Sequence, residues 1–303
     1  MGGPSTFAPG AYAILATPFD RDEHLDVEGL TRLTAFYEGR EATGLVVLAA
    51  MGEGAKLDDE ERRRAIETVL AARRSAPVTV GVTAPSTHLV RRRIDQAREL
   101  GAESVLLSPS AGMDADAVRA LFAEAGRSSV PIVLQDHPQS SGVTMPAALI
   151  GRLLGDVEAV VAVKNEAPPT ALKTRQVFAA AGSDRAFTLL GGLGALSLLD
   201  EMDAGAHGTM TGFAYPEVLT AIVSAYLDGD RARALYEAFL PWLVFESTAA
   251  VSLAIRKEFL RLRGRIDCAV VRSPAPALDQ GLARRAAELH EAFAGAAATH
   301  GLG

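Results

Sequence analysis

The sequence predicts a (β/α)8 barrel, an α/β fold of eight parallel strands that are each followed by a helix. Short runs rich in Val, Leu, Ile and Ala occur eight times along the chain. A longer amphipathic stretch rich in Arg and Glu follows each run. The runs are apolar on both faces, which is typical of strands that helices cover on both sides. A doubly wound sheet is the structural alternative, but it usually has fewer units and a glycine-rich first turn.

The predicted elements alternate along the chain. The strands are predicted at Tyr12–Thr17, Leu45–Ala50, Val78–Thr83, Ser104–Ser108, Pro131–Gln135, Ala159–Lys164, Phe187–Gly191 and Gly208–Thr211. The helices are predicted at Val27–Arg40, Asp59–Arg73, Thr87–Leu100, Asp114–Gly126, Pro146–Leu154, Pro168–Ala181, Ala195–Ala204 and Pro216–Leu227.

Residues typical of helix ends flank several of these stretches. Asp58 and Asp114 can accept hydrogen bonds from the free N–H groups at the start of the second and fourth helices. Pro146 and Pro216 suit the first position of a helix, where no N–H donor is needed. Three helices are expected to stop at a glycine, namely at Gly101, Gly155 and Gly205.

Three more helices are predicted after the last strand–helix unit, at Asp230–Ser247, Ser252–Arg263 and Asp279–Ala298. Extra helices of this kind commonly pack beside a closed barrel. We therefore expect the barrel to span residues 1–228 and a C-terminal helical region to span residues 229–303.

Composition excludes several classes of protein. Of the 303 residues, 49% are hydrophobic and 22% are charged, which is typical of a globular chain rather than a disordered one. The net charge of -7 argues against a nucleic-acid partner. Cys268 is the single cysteine, so no internal disulfide is possible, and a cytoplasmic location is expected. No apolar run approaches the roughly 18 residues of a membrane span.

The sixth predicted strand ends in a lysine. In (β/α)8 barrels the active site lies at the carboxyl ends of the strands, and here Val160–Val163 leads directly into Lys164. Desolvation at an apolar barrel mouth disfavours the ammonium form of a lysine. The neutral amine is a nucleophile that forms a Schiff base with a carbonyl group. Lys164 is therefore the first catalytic candidate, and the alternative is a surface lysine just beyond a strand.

Glu166 stands two residues after Lys164, so in an extended strand the two side chains share one face and Asn165 points away. A carboxylate beside a Schiff base could move protons at the neighbouring carbon. The apolar strand is expected to raise the pKa of Glu166 towards neutrality, and the charge of the lysine to oppose this. The alternatives are a simple salt bridge or a cap for the turn before Pro168.

Polar residues also end the first and fifth strands. Gln135 and His137 share one face of the fifth strand, and Asp136 lies on the other. His137 can act as a general acid or base, although a loop histidine bonded to the backbone is the more common case. Thr17 can bind a ligand or its own backbone.

Glycine-containing turns follow the second and seventh strands. The small residues of Ala49–Gly54 let backbone N–H groups converge on an anion. Gly192 lies in Gly191–Gly194, a turn that a ligand can approach closely and that binds phosphate in many barrels. No spacing of His, Cys and carboxylate residues predicts a metal site, so neither a metal nor another cofactor is expected.

Four segments carry a family resemblance. They are Ala13–Phe19 (AILATPF), the turn Met51–Glu53, the strand-ending Lys164 and Gly208–Gly212 (GTMTG). Together they resemble the dihydrodipicolinate synthase/N-acetylneuraminate lyase family over nearly the whole chain. The resemblance implies a barrel with C-terminal helices, a homo-oligomer (tetramer or dimer), and a Schiff base between Lys164 and pyruvate or another 2-keto acid.

The chain departs from the usual pattern of this family. The usual Gly-Thr-Thr-Gly-Glu reads Ala49–Glu53, which removes two hydroxyls, although the backbone amides of Ala50 and Met51 can still bind a carboxylate. Gln135 stands where the family has its proton-relaying tyrosine. The tyrosine after strand four is absent from Ser108–Ala111, and Ser140 occupies the place of an arginine that binds the second substrate. These departures disfavour a synthase of lysine biosynthesis.

A narrower resemblance fits the motifs better. Gln135–Pro138 with Ser141–Gly142, Lys164–Glu166 and Met210–Gly212 are similar to a branch that contains 2-keto-3-deoxy-L-arabonate dehydratase. That branch lacks the strand-five tyrosine and carries Lys-x-Glu in strand six. The resemblance implies that Glu166 carries the proton in place of the tyrosine.

The expected function is that of a cofactor-free lyase that acts on a small 2-keto acid, with dehydration of a 2-keto-3-deoxy sugar acid as the favoured reaction. A pyruvate-dependent aldolase or dihydrodipicolinate synthase-type condensation is one alternative, and a non-catalytic barrel that binds a keto acid is another. The expected catalytic residues are Lys164, Glu166 and His137. The expected substrate-binding residues are Thr17, Ala50, Met51, Gln135, Gly192 and Met210.

Overall fold

The computed structural model describes residues 7–182, 186–230 and 232–302. Its eight strands are β1 (Gly10–Ile14), β2 (Gly44–Val47), β3 (Val78–Gly81), β4 (Ser104–Leu107), β5 (Ile132–Asp136), β6 (Val160–Asn165), β7 (Thr188–Leu190) and β8 (Gly208–Thr211). Its helices are α1 (Val27–Glu38), α2 (Asp59–Ala72), α3 (Thr87–Leu100), α4 (Ala115–Gly126), α5 (Pro138–Ser141), α6 (Ala147–Asp156), α7 (Thr170–Ala181), α8 (Leu198–Asp203), α9 (Pro216–Leu227), α10 (Ala232–Glu246), α11 (Ser252–Leu262) and α12 (Gln280–Thr299).

The strands form one sheet in the order β7-β6-β5-β4-β3-β2-β1-β8. A parallel bridge between Gly191 and Thr209 joins the end of β7 to β8, and the amide of Met210 donates to the carbonyl of Gly191 at 2.9 Å. Every residue of every strand is buried, as strands covered on both faces must be. The predicted (β/α)8 barrel is therefore confirmed.

The chain divides into two compact units. The first consists mainly of Pro77–Gly192 and Ser197–Met210, and it contains β3 to β7 and most of β8. The second contains Gly10–Ala76, Leu193–Leu196 and the chain from Thr211 onward, with β1, β2 and helices α9 to α12. The domain boundary expected after residue 228 stays a prediction.

Capping explains where several helices begin. The carboxylate of Asp58 accepts from the amide of Glu61, whose side chain bonds back to the amide of Asp58, so the start of α2 is a complete capping box. Asp114 caps α4 as predicted, Pro216 is the first residue of α9, and Gly101 ends α3 in the left-handed region at φ 93°.

Other helix ends differ from prediction by one to three residues, and the largest difference is the start of α8 at Leu198 instead of Ala195. Pro146 precedes α6 instead of opening it, and Gly155 lies inside the helix, which continues to Asp156. The helix predicted from Pro168 begins at Thr170, because a residue that precedes a proline is disfavoured in the helical region, and Pro169 follows Pro168. The short helix α5 was not predicted.

An aromatic cluster lies in the second unit. The rings of Tyr215 and Phe293 stack with centroids 4.0 Å apart, and Trp242 meets Phe293 edge to face at 5.9 Å. The indole N–H of Trp242 donates to the carbonyl of Leu289 at 2.9 Å. These contacts fix α12 against α10. Within the described residues, no helix has both the length and the apolar character that crossing a membrane requires.

Candidate active site

Lys164 and Glu166 meet at the carboxyl end of β6. Lys164 is 3% exposed and Glu166 5%, and Lys164 Nζ lies 2.8 Å from Glu166 Oε2. The strand stays extended through Asn165, so side chains two residues apart share a face. The lysine amine and the carboxylate therefore form one buried pair.

Asn165 points away from this pair, as the strand alternation predicts. Its amide donates to the carbonyl of Thr170 at 2.8 Å and to the hydroxyl of Thr174 at 3.1 Å. These bonds tie the end of β6 to the start of α7, and they keep Lys164 and Glu166 on the opposite face.

Gln135 is a second hydrogen-bond donor to the carboxylate of Glu166. It stands beside Lys164 in the register of β5 and β6, and its Nε2 donates to Glu166 Oε2 at 2.6 Å. One carboxylate oxygen therefore contacts both the lysine and the amide. Gln135 is 6% exposed, and its side chain fixes the orientation of Glu166.

Gly192 makes the room that Glu166 needs. A Cβ at Gly192 would lie 2.4 Å from Cγ and 2.6 Å from Oε1 of Glu166. Real Cβ atoms do not approach other atoms so closely, so a side chain at this position would displace the carboxylate. The predicted close-approach turn is thus occupied by a side chain of the protein itself.

His137 lies beside the pair without a hydrogen bond to it. Its Nδ1 is 3.8 Å from Glu166 Oε2, which exceeds hydrogen-bond distance. Burial lowers the pKa of His137, the negative charge of Glu166 opposes this, and Lys164 adds to the lowering. His137 is therefore favoured as a neutral imidazole.

The charges around Glu166 overturn one expectation. Burial raises the pKa of its carboxyl, as predicted. The charges of Lys164 and His137 and the hydrogen bonds from Lys164 and Gln135 act the other way and prevail, so the pKa of Glu166 lies below its ordinary value. The expected rise towards neutrality is wrong, because the sequence did not reveal how many donors converge on this carboxylate.

Two further acidic residues of the first unit are buried. Asp136 faces away from Gln135 and forms an ion pair with Lys173 at 3.0 Å; burial raises its pKa against the opposing charge of Lys173. Glu201 in α8 is 1% exposed, and burial raises its pKa to about 7. A Cβ at Gly191 would lie 1.8 Å from Glu201 Oε2. Sequence reasoning missed Glu201, because nothing in its helical surroundings marks it as buried.

Met210, in the first unit, is fully buried in β8. The expected binding residues Thr17, Ala50 and Met51 lie in the second unit. Thr17 donates its hydroxyl to the carbonyl of Gly52 at 2.5 Å, so it bonds to the backbone of another segment and not to its own backbone. Ala50 and Met51 belong to a single 3-10 turn, Ala50–Gly52; Ala50 is exposed and Met51 is half-buried.

Glu53, directly after this turn, anchors a buried charge network that sequence reasoning missed. Its carboxylate contacts Lys257 Nζ at 2.5 Å and Lys56 Nζ at 2.9 Å, and it accepts from the amide of Arg272 at 3.0 Å. Burial lowers the pKa of Lys257 to about 8, and Glu53 opposes this shift. The only sequence signal was the glutamate of the motif itself, since two of its partners, Lys257 and Arg272, lie more than two hundred residues away.

Among the described residues, one group has the geometry of possible metal ligands, namely Asp20, Asp22 and His24. All three are exposed, and the Asp20 carboxylate accepts from the backbone amides of the other two. This group belongs to the loop after β1 in the second unit.

Comparison with known proteins identifies the family. The model of the dihydrodipicolinate synthetase family matches residues 8–287. The chain belongs to the dihydrodipicolinate synthetase family. It is accordingly an enzyme of the lyase class, which agrees with the resemblance seen in its motifs.

Relatives of this family member include proteins named as a dehydratase and proteins named as synthases. An L-2-keto-3-deoxyarabonate dehydratase from Azospirillum brasilense is 30% identical over 280 residues, which is 89% of each chain. A 4-hydroxy-tetrahydrodipicolinate synthase from Acidothermus cellulolyticus is 30% identical over 301 residues, 94% of this chain and 91% of the relative. The crystal structure of dihydrodipicolinate synthase from Rhodopseudomonas palustris superimposes with a TM-score of 0.90 at 31% identity, covering 96% of this chain and 99% of that one.

Proposed function

We propose that the protein forms a Schiff base between Lys164 and a small 2-keto acid and dehydrates a 2-keto-3-deoxy sugar acid. The observation that carries the proposal is the buried contact of 2.8 Å between Lys164 Nζ and Glu166 Oε2. A lysine amine in a buried site is the nucleophile that class I lyases require. A carboxylate at hydrogen-bond distance supplies a base next to it.

The proposed reaction proceeds through an imine. The amine of Lys164 attacks C2 of the keto acid, and the carbonyl oxygen leaves as water. The imine withdraws electrons from C3, and Glu166 takes a proton from that carbon to give an enamine. The electron pair of the enamine expels the C4 hydroxyl, which leaves as water with the proton from Glu166. Hydrolysis of the resulting unsaturated imine frees Lys164.

The charge state of Glu166 supports its role as the base. The pKa of its carboxyl lies below the ordinary value because Lys164, His137 and Gln135 outweigh the effect of burial. Glu166 is therefore ionised at neutral pH and able to accept a proton. Gln135 cannot titrate, so its amide is assigned the positioning of Glu166 through the 2.6 Å hydrogen bond.

His137 and Gly192 are assigned lesser parts, and Met210 stays a prediction from the sequence as a substrate-binding residue. His137 is a reserve acid–base group 3.8 Å from the carboxylate, and Gly192 provides space for Glu166. Thr17, Ala50 and Met51 stay predictions from the sequence as substrate-binding residues. A cytoplasmic location and a homo-oligomeric state stay predictions as well.

Reductive trapping tests the proposal. Pyruvate with borohydride should add an irreversible mass to Lys164, because borohydride reduces an imine to a stable amine. The matched control is Lys173→Ala, which removes another largely buried lysine of the same unit. Absence of labelling in the wild type, or labelling that survives Lys164→Ala, would overturn the Schiff-base mechanism.

Substrate turnover separates the dehydratase from its alternatives. The wild type should convert 2-keto-3-deoxy-L-arabonate and show negligible condensation of pyruvate with aspartate semialdehyde, because Gln135 cannot relay protons as a tyrosine does. Condensation at a typical enzyme rate of about 10 per second would instead favour the activity of a 4-hydroxy-tetrahydrodipicolinate synthase, which is the name of the Acidothermus relative. Membership of a family of lyases favours either enzyme over a non-catalytic binding protein.

A further inference from the structure

Ser108 carries a buried hydroxyl that has no hydrogen-bond partner within the part of the chain that the structure describes. Three serines are buried in the described part of the chain, namely Ser104, Ser108 and Ser141. The hydroxyl of Ser104 bonds to that of Thr79 at 2.8 Å, and Ser141 donates to the carbonyl of His137 at 3.1 Å. Ser108 is 7% exposed, and its Oγ has no hydrogen-bond partner among residues 7–182, 186–230 and 232–302.

An unpartnered buried hydroxyl is costly. Leaving such a group without a hydrogen bond costs about 1–3 kcal/mol, so native proteins keep few of them and often use them in function. The backbone amide of Ser108 is satisfied by the hydroxyl of Thr83 at 2.9 Å. The cost therefore falls on the side chain alone.

The strand register places Ser108 in the row of the candidate site. Leu107 pairs with Leu134 in β4 and β5, and Gln135 pairs with Lys164 in β5 and β6. Ser108 is one residue beyond Leu107, so it continues the row of Gln135 and Lys164. Side chains that stand in register on parallel neighbours point to the same face of a sheet.

That face is the one on which the proposed chemistry occurs. The side chains of Gln135 and Lys164 both contact Glu166 there. Ser108 lies two strand spacings from Lys164, about 10 Å between the backbones. A ligand that is bound through C2 to Lys164 and extends along this row presents to Ser108 the part of its chain that lies beyond C3.

We infer that Ser108 is a specificity-determining residue that binds a hydroxyl group on the substrate beyond C3. The inference rests on the proposed function. A serine hydroxyl both donates and accepts and carries no charge, so its natural complement is another hydroxyl. In a five-carbon 2-keto-3-deoxy acid, the groups beyond C3 are the hydroxyls on C4 and C5.

This contact would select against ligands that lack the hydroxyl. A site built to hydrogen-bond a substrate hydroxyl discriminates strongly against the analogue without it, because the protein group is then left buried and unpaired. An alkyl 2-keto acid of the same length is therefore expected to bind less well than the hydroxylated acid.

The experiment compares two ligands of equal length on three proteins. The ligands are 2-keto-3-deoxy-L-arabonate and 2-oxopentanoate, which has five carbons and no hydroxyl. The proteins are the wild type, Ser108→Ala and the control Ser104→Ala, which removes a buried hydroxyl that already has a partner. The readout is the ligand concentration that gives half the maximal initial rate of borohydride trapping at Lys164.

Ser108→Ala should raise this concentration about tenfold for 2-keto-3-deoxy-L-arabonate, the loss expected for one hydrogen bond in a buried site. It should leave the value for 2-oxopentanoate within about twofold. Ser104→Ala should change neither. Thermal unfolding without ligand should show no loss of stability in Ser108→Ala, because no bond within the protein is removed, and a loss in Ser104→Ala, because Thr79 loses its partner.

Three other results would contradict the inference. An equal shift for both ligands, or no shift, in a wild type that is trapped normally would overturn the role of Ser108 and leave the proposed function standing. A wild type that neither ligand labels would overturn the proposed function and the inference with it. A large fall in the stability of Ser108→Ala would show that its hydroxyl is bonded within the protein.

Discussion

Lys164 and Glu166 stand two residues apart on one face of β6, and their charged ends lie 2.8 Å from each other in a buried site. The same carboxylate oxygen accepts from Gln135 at 2.6 Å. A buried ion pair of this kind is poor evidence for stability, because desolvation offsets much of the attraction. Its position at a strand end of the barrel, where active sites lie, favours a catalytic use.

Glu166→Gln should separate imine formation from proton transfer. The amide keeps the size of the side chain but cannot accept a proton, so turnover of 2-keto-3-deoxy-L-arabonate should fall about 100-fold or more. Trapping at Lys164 should persist, because the amine is still present. Glu158→Gln, an exposed glutamate just before β6, serves as the control. Near-normal turnover would remove Glu166 from the mechanism, whereas loss of trapping together with turnover would show that it only positions the lysine.

Gly192→Ala should damage activity through Glu166. The added Cβ would come within 2.4 Å of Glu166 Cγ, so the carboxylate must move away from Lys164. Turnover should fall by at least about tenfold, since misplacing a catalytic group by about 1 Å can cost 100-fold. Gly155→Ala is the matched control, because nothing lies within 4 Å of a Cβ at that position. Equal rates for both variants and the wild type would argue that the space beside Gly192 is irrelevant to the chemistry.

His137→Asn should act mainly on the pH profile. His137 makes no hydrogen bond to Glu166, and its neutral form is favoured at neutral pH. At low pH, where the imidazole is protonated, its charge is one of the causes that lower the pKa of that carboxyl. Removing it should raise the pKa of Glu166, and the acid limb of kcat/KM should move to higher pH, because the base form is lost as pH falls through this pKa. At pH 8 the turnover of His137→Asn should stay within about tenfold of the wild-type value. This loss is smaller than the loss of about 100-fold or more that is expected when an acid–base catalyst is removed. A loss as large as that of Glu166→Gln would make His137 the base instead.

The stability of Glu201→Gln relative to the wild type should increase as pH rises. Burial raises the pKa of this carboxyl from 4.5 to about 7, so the folded state holds a proton more tightly than the unfolded state. Wild-type stability should therefore fall between pH 4.5 and pH 7, and the amide, which does not titrate, should escape this loss. The loss of wild-type stability between pH 4.5 and pH 7 corresponds to about 3 kcal/mol.

Urea unfolding of Glu201→Gln at pH 5 and pH 8 checks this prediction. The control is Glu99→Gln, the same change at an exposed residue of α3 whose charge is not among the causes of the Glu201 shift. The stability gain over wild type should be larger at pH 8 than at pH 5 for Glu201→Gln, whereas any change caused by Glu99→Gln should be the same at the two pH values. A gain that is independent of pH would show that Glu201 does not titrate in this range.

Much of the fold could be predicted because its signals are local. Apolar runs mark the strands, and β8 has the predicted bounds at Gly208–Thr211. Capping residues such as Asp114 fix helix starts through bonds that span only two or three residues. The errors of one to three residues, as at the end of β2 and at Gly155, occur at the ends of elements, which local signals fix least well.

The sequence by itself determined that Lys164 and Glu166 share a face, since strand alternation requires only that the backbone stay extended. It also determined that Asn165 points away. Only the tertiary structure decided the charge of Glu166, because the donors that lower its pKa come partly from β5, 31 residues earlier in the chain. Likewise it decided that Gly192 packs on Glu166, that Glu201 is buried behind Gly191, and that Glu53 meets Lys257. The physical reason is range: alternation and capping act within a few residues, whereas desolvation and charge depend on which distant segments surround a group after folding.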